Sequence, residues 1–238
     1  MTTTTTTTAQ PAADRSAGLQ VWRSALTLTA EQQHLCLDVQ ELHRLVMRGF
    51  RNPRTVTGTH SPRPAGILFA ARRSTPLRDP DTRRLSAGTP EQILVQSPQP
   101  PNWSHLLTTG TLTAATTNPV REHYTTGDIV EARTVANPVA HDRQTGRILG
   151  KRTAEECGEW LRGKLHQHGL DINPQHITMS EGQSVTGMHG DHAVKFIVRE
   201  TFLTGIVTDS DKFHTLLTGG FGRAKAYGCG LLLSRPVE

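Results

Sequence analysis

The sequence predicts an α+β protein in which one β-α-β-β-α-β pattern occurs twice behind a low-complexity tail. Three observations point that way. The 238-residue chain opens with seven consecutive threonines, Thr2 to Thr8. Setting aside the first eighteen residues leaves a length that fits two domains of about 100 residues each. Short apolar or alternating runs bounded by Gly, Pro, Arg and Ser recur along both halves and read as strands. Between them, capped helical stretches fall at corresponding places in each half.

Gly18 to Leu28 (GLQVWRSALTL) mixes β-branched, aromatic and leucine residues and forms the first predicted strand. Asp38 is the N-cap of a helix over Val39 to Phe50 (VQELHRLVMRGF). There Val39, Leu42, Val46 and Phe50 share one face at helical spacing, and Asn52-Pro53 ends the helix. Gly66 to Ala71 and Gln92 to Gln96 are the next strands. A short helix around Trp103 to Leu107 and a strand near Thr111 to Ala115 complete the first unit.

In the second unit, Asp128 to Ala136 (DIVEARTVA) alternates as a strand does. After a basic loop, Thr153 caps the helix AEECGEWLRGKLHQHG, with Trp160, Leu161 and Leu165 inward and Gly169 as its stop. Ile172 to Met179 and the long run His192 to Val207 are strands, Ser210 to Leu217 is a helix, and Ala224 to Ser234 is the closing strand. The predicted architecture is two tandem ferredoxin-like domains, residues 19–120 and 128–238, after a disordered Thr-rich tail over residues 1–18. That architecture hosts unrelated functions, so function has to be read from sites.

Composition narrows the classes. Twenty-six Lys+Arg against 21 Asp+Glu give a net charge of +5, which suits an anionic partner such as nucleic acid. Cys36, Cys157 and Cys229 are far apart and form no C-x-x-C pair. This argues against a disulfide framework or a cysteine zinc site and for the reduced thiols of a cytoplasmic protein. No apolar run approaches the roughly 20 residues that span a bilayer. The N-terminus also lacks the basic-then-apolar order of a secretory signal. His166 and His168, at i, i+2 on a helix, point apart, and no H-E-x-x-H or paired-aspartate motif occurs. Neither a metal nor a cofactor is expected.

Four places could carry chemistry. His43 lies at the edge of the apolar stripe of the first helix, beside Gln40 and Met47, with Arg44 and Arg48 stacked at i, i+4 on the adjoining open face. An imidazole there could meet a phosphate that the arginines attract, and its ordinary pKa suits proton transfer. Equally, it could simply cover the core. The run Gly219 to Gly230 (GGFGRAKAYGCG) combines flexible glycines, Gly220 and Gly222 among them, with Arg223 and Lys225 at alternate positions. It reads either as a backbone cradle for phosphate or as a tight helix-to-strand turn. It is neither a P-loop nor a dinucleotide fingerprint. Lys151 and Arg152 precede a helix N-terminus, where free N–H groups and cations converge on an anion, or merely decorate a surface loop. The arginines between Arg51 and Arg84 could track nucleic acid or be plain solvated charge.

Six segments in order resemble the CasE family, the repeat-processing endoribonucleases of type I-E CRISPR systems. They are ELHRLVMRGF, ILVQSPQPPNW, VEARTVANPV with its later GKR, the EECGEWL helix, FLTGIVTDSDKF and the terminal GGFGRAKAYGCGLLL. The resemblance covers the chain from about Leu19 onward and is most specific in the terminal glycine-rich segment. It implies two RRM-like ferredoxin folds and, as partners, the stem-loop of a CRISPR repeat transcript, the mature guide RNA and other Cascade subunits. It further implies a metal-independent cut on the 3′ side of the stem. The RNA's own 2′-hydroxyl attacks there, leaving a 2′,3′-cyclic phosphate and a 5′-hydroxyl. His43 maps onto the family's catalytic histidine. Arg48 corresponds to the family's cation five positions after the histidine, Arg44 directly follows the histidine, and both could neutralise phosphorane charge, while Lys151, Arg152, Gly220, Gly222, Arg223 and Lys225 correspond to RNA contacts. Where the family often carries a tyrosine three residues before the histidine, this chain has Gln40. Gln40 can orient RNA by hydrogen bonding but cannot move a proton. A binding-only subunit of the same fold is the alternative that this departure suggests.

Overall fold

The computed structural model describes residues 19–50, 66–74, 77–78, 85–86, 88–142 and 144–237. The Thr-rich tail and the arginines at 51, 54, 63, 83 and 84 lie outside the described residues.

The first unit runs β1 (Leu19–Leu28), α1 (Ala30–Leu35), α2 (Val39–Met47), β2 (Leu68–Arg73), the short strands β3 (Leu77–Arg78) and β4 (Leu85–Ser86), β5 (Pro90–Ser97), α3 (Ser104–Thr108) and β6 (Leu112–Glu122). The second runs β7 (Ile129–Ala136), the hairpin β8 (Val139–His141) and β9 (Ile148–Gly150), α4 (Ala154–Gln167), β10 (Leu170–Met179), β11 (Gln183–His189), β12 (His192–Val207) and α5 (Ser210–Gly219). A 3-10 turn (Lys225–Tyr227) and β13 (Leu232–Pro236) complete it.

Two four-strand arrays share one topology. The first is ordered β2-β5-β1-β6 and is antiparallel throughout. The second is ordered β13-β7-β12-β10, also antiparallel. Each is the arrangement that a β-α-β-β-α-β chain adopts when its two crossovers lie on one face, so the tandem ferredoxin-like architecture holds. One core gathers Leu26, Leu42, Val46, Phe69, Ile93 and Leu106, and the other Val130, Leu161, Leu165, Leu203, Phe213 and Leu216. A small third core, Val39, Val185, Val198 and Cys229, lies between the units.

The units are joined by more than the connecting segment. Helix α5 packs against the first sheet, where the buried Gln96 amide donates to the Leu217 carbonyl at 2.6 Å and its carbonyl oxygen accepts from Arg23 Nε. Buried amides require such partners, because an unmet one costs about 1–3 kcal/mol. On the same side Tyr124, buried in the linker, accepts from Ser234 Oγ at 2.9 Å and donates to Glu122.

Two expectations change. β12 is a single strand, but only residues 199–207 belong to the ferredoxin-like sheet. Residues 192–198 pair with β11, which the sequence reading did not include, and β11 pairs in parallel with β4. Likewise, Ala224 to Ser234 is not one strand. Positive φ angles at Gly220, Gly222, Ala224, Gly228 and Gly230 fold that segment into a compact loop around the 3-10 turn, and extended structure starts only at Leu232. Left-handed backbone cannot continue a ladder. Arg223 and Lys225 are therefore not alternate residues of a strand.

Candidate functional site

Asp38 starts the helix that carries the histidine. One carboxylate oxygen accepts from the Gln40 and Glu41 N–H groups at 2.7 and 3.3 Å, satisfying donors that a helix start leaves open. The other accepts from the Met188 N–H of β11 at 2.9 Å. Gly187 passes so close that a Cβ there would lie 2.8 Å from Asp38 Oδ1 and from Val39 Cγ2. The arm formed by β11 and β12 is thus pinned to the first turn of α2, with Val39, Leu42, Leu45 and Val46 anchoring the helix below.

One turn into α2, His43 is half-buried at the seam between the units. Its ring lies 6.4 Å from that of Phe69, and the glycine-rich loop crosses over both, with the Ala226 backbone meeting the imidazole. Nδ1 is shielded from solvent and finds no partner among the described residues. Burial pushes the imidazole pKa below its ordinary 6.5; the Ala226 carbonyl opposes that shift and Arg44 reinforces it. The ring is therefore neutral at neutral pH and able to take up a proton. Arg44 is exposed and paired with Glu41, and Arg48 is exposed at the C-cap of the helix. Gln40 is half-buried on the same first turn.

The other side of the loop lines a groove of about 1440 Å³. Its rim carries Lys151, Arg152, Lys195, Arg199 and Arg223 against Glu156 and Glu181. Lys151, Arg152 and Arg223, distant in sequence, are brought together there. Arg199 holds the groove wall by donating to the Ser180 and Arg152 carbonyls at 2.8 and 3.0 Å, while the Glu156 carboxylate closes the capping box of α4 on the Arg152 and Thr153 N–H groups.

The remaining assigned residues are placed differently. Lys225 turns back on its own loop and donates to the Gly219 and Gly220 carbonyls at the end of α5, at 2.9 and 3.3 Å. Gly220 makes room for the chain itself, since a Cβ there would lie 2.6 Å from the Gly230 carbonyl oxygen and 2.9 Å from Leu68. Gly222 faces the Trp160 ring. Of the arginines between 51 and 84, Arg72 is exposed, whereas Arg73 is turned inward and donates to the Gly88 carbonyl at 3.1 Å. Groove residues that the sequence reading passed over are Lys195 and Phe196 on β12 and Tyr227 in the 3-10 turn. The adjacent basic and aromatic residues Lys195-Phe196 in the long run from His192 were the available signal. Among the described residues no group of three or more His, Cys, Asp or Glu side chains is arranged to hold a metal, and no helix is long and apolar enough to cross a membrane.

A family model described as "CRISPR associated protein" matches residues 21–236. The chain belongs to that family. No curated protein sequence matches it. Among solved structures, the CRISPR endoribonuclease Cse3 bound to a 19-nucleotide RNA superposes with a TM-score of 0.75 at 20% identity, over 91% of this chain and 100% of that one. Thermus thermophilus Cse3 bound to an RNA representing a pre-cleavage complex gives 0.74 at 20% identity, again over 91% and 100%. A chain of a CRISPR RNA-guided surveillance complex gives 0.62 at 17% identity, over 91% and 100%. At these identities the likeness is one of fold. This CRISPR-associated protein keeps the tandem ferredoxin-like frame across its described residues.

Proposed function

We propose that this protein is an endoribonuclease that cuts the repeat hairpins of precursor CRISPR transcripts, using the RNA's 2′-hydroxyl as nucleophile. The observation that carries the reading is the position of His43, at the seam where the first helix meets a loop whose far side lines a basic groove. Family membership supports it, as does a frame shared with an RNA-bound CRISPR endoribonuclease. The two units, residues 19–120 and 128–238, act together, because the histidine comes from one and the loop and groove from the other.

The chemistry follows from those groups. RNA lies along the groove, its phosphates drawn by Arg223, Lys151 and Arg152. The strand crosses the glycine-rich loop from the groove and displaces the Ala226 backbone from the imidazole, and neutral His43 then accepts the 2′-hydroxyl proton as that oxygen bonds to phosphorus. The P–O5′ bond breaks, the 5′-oxygen takes a proton from water, and a 2′,3′-cyclic phosphate is left. Exposed Arg44 and Arg48 neutralise charge on the pentacoordinate phosphorus. The nucleophile belongs to the substrate, so the protein supplies proton transfer, charge and orientation. The product guide RNA stays bound and the protein joins a surveillance complex in the cytoplasm.

Incubating a repeat hairpin with the protein in EDTA, with and without a 2′-deoxy sugar at the cut, tests the reaction. Cleavage should persist in chelator and vanish with the deoxy sugar. His43→Ala should abolish cleavage and leave hairpin affinity nearly unchanged. A mutant that cuts at the wild-type rate removes His43 from the mechanism. The second reading, a subunit that binds RNA without cutting it, rests on Gln40 in place of a helix-borne tyrosine. It predicts that the wild-type protein retains the hairpin intact.

A further inference from the structure

The groove contains two aromatic rings that phosphate binding does not use. Phe196 comes from the arm strand β12 and Tyr227 from the 3-10 turn. Their centroids are 5.7 Å apart with ring planes 35° from parallel, and both residues are partly buried and line the groove. They pack from beneath on Val39, Val185, Val198 and Cys229. Val39 is the first residue of the histidine's own helix. The residue before Tyr227 is Ala226, whose backbone meets His43. The aromatic surface is therefore fixed to the small core on which the histidine's helix begins, and Lys195 and Arg223 stand in the same groove.

We infer that Phe196 and Tyr227 form a stacking subsite for an unpaired nucleobase next to the phosphodiester that is cut. The inference rests on the RNA-binding reading and adds to it a ligand class and a place. A flat π-face held rigidly in a cationic groove is the arrangement that captures single-stranded bases without reading their sequence. A paired base presents no free face, so the nucleotide seated here lies outside the stem. Stacking it would fix the ribose and phosphate beside His43, aligning the 2′-oxygen for displacement.

The test uses a repeat stem-loop RNA made uncleavable by a 2′-deoxy sugar at the cut, with 2-aminopurine placed in turn at each unpaired position. Binding to the wild-type protein should quench the fluorophore at a position adjoining the cut. Tyr227→Leu and Phe196→Leu should relieve the quench and weaken binding by about 5- to 150-fold. The slope of affinity against salt should stay unchanged, because no phosphate contact is lost. Tyr227→Phe, which keeps the ring, should retain the quench, and thermal melting checks that each variant is folded. Quenching that survives both leucine variants, or appears at no position, overturns the subsite and means that the rings only roof the third core. Because the RNA is uncleavable, the result is independent of catalysis. If unmodified RNA is not cut in EDTA while the ring-dependent quench is present, the nuclease reading falls and the subsite stands. Cleavage without that quench sinks the subsite alone.

Discussion

Replacing Asp38 with alanine removes three hydrogen bonds at once, and the structure fixes what each contributes. Two of them, from the Gln40 and Glu41 N–H groups, cap α2, and losing such a cap costs about 1 kcal/mol. The third holds the Met188 N–H of β11 in a solvent-accessible position and is worth about 1 kcal/mol more. Together that is about 2 kcal/mol, or a fall in melting temperature of about 4–8 °C for a chain of this size. Asp38→Asn separates the two contributions. Asparagine caps helices as well as aspartate does, but its NH₂ would face the Met188 N–H, donor against donor, so about half of the loss should remain. Gly187→Ala should reproduce the uncoupling from the other side by driving a methyl group against the same carboxylate. Thermal unfolding followed by circular dichroism reads all three. If Asp38→Ala melts within about 1 °C of wild type, or if the alanine and asparagine variants melt together, the carboxylate does not join the arm to the helix.

The site carries further expected outcomes. The His43 pKa lies below its ordinary 6.5 in the folded protein, so protonation favours the unfolded chain. Its contribution to stability is complete above pH 6.5 and declines as pH falls below that value, and the acid limb of kcat/KM in the pH–rate profile should lie below pH 6.5 as well. A limb above it would mean that the imidazole is not the group being titrated. Arg223→Ala should flatten the dependence of log affinity on log salt by about 0.7–0.9. Lys225→Ala, whose ammonium is spent on the Gly219 and Gly220 carbonyls, should instead lower stability by about 1 kcal/mol. Equal slopes for the two variants in filter-binding titrations would contradict that division of labour.

What could be read from side-chain order was what is local. Asp38 and Thr153 announced their helices because capping acts over three residues, and Gly169 marked a stop because its φ of +76° disfavours other residues. His43 could be placed at the edge of an apolar stripe by helical spacing alone. Its environment could not, because the Ala226 backbone lies 183 positions away (226 − 43) and arrives only after both units fold. The arm strand β11 was missed for a similar reason. Gln183 to His189 is polar and short of apolar alternation, and its stabilising partners, β12 and the cap of α2, are tertiary. Arg223 and Lys225 looked equivalent at alternate positions. The left-handed Ala224 between them, φ 60°, sends one to the groove and the other back to a helix end.

β12 spans sixteen residues, and at about 3.3 Å per residue it is a beam roughly 50 Å long. One end is clamped between β7 and β10, and the other projects with β11 to Asp38. A beam clamped at one end and tethered at the other transmits bending rather than absorbing it. Any guest that spreads the groove wall at Lys195 and Phe196 must therefore load the tether at Met188, so that the way a guest is gripped and the tilt of the histidine's helix form one mechanical variable.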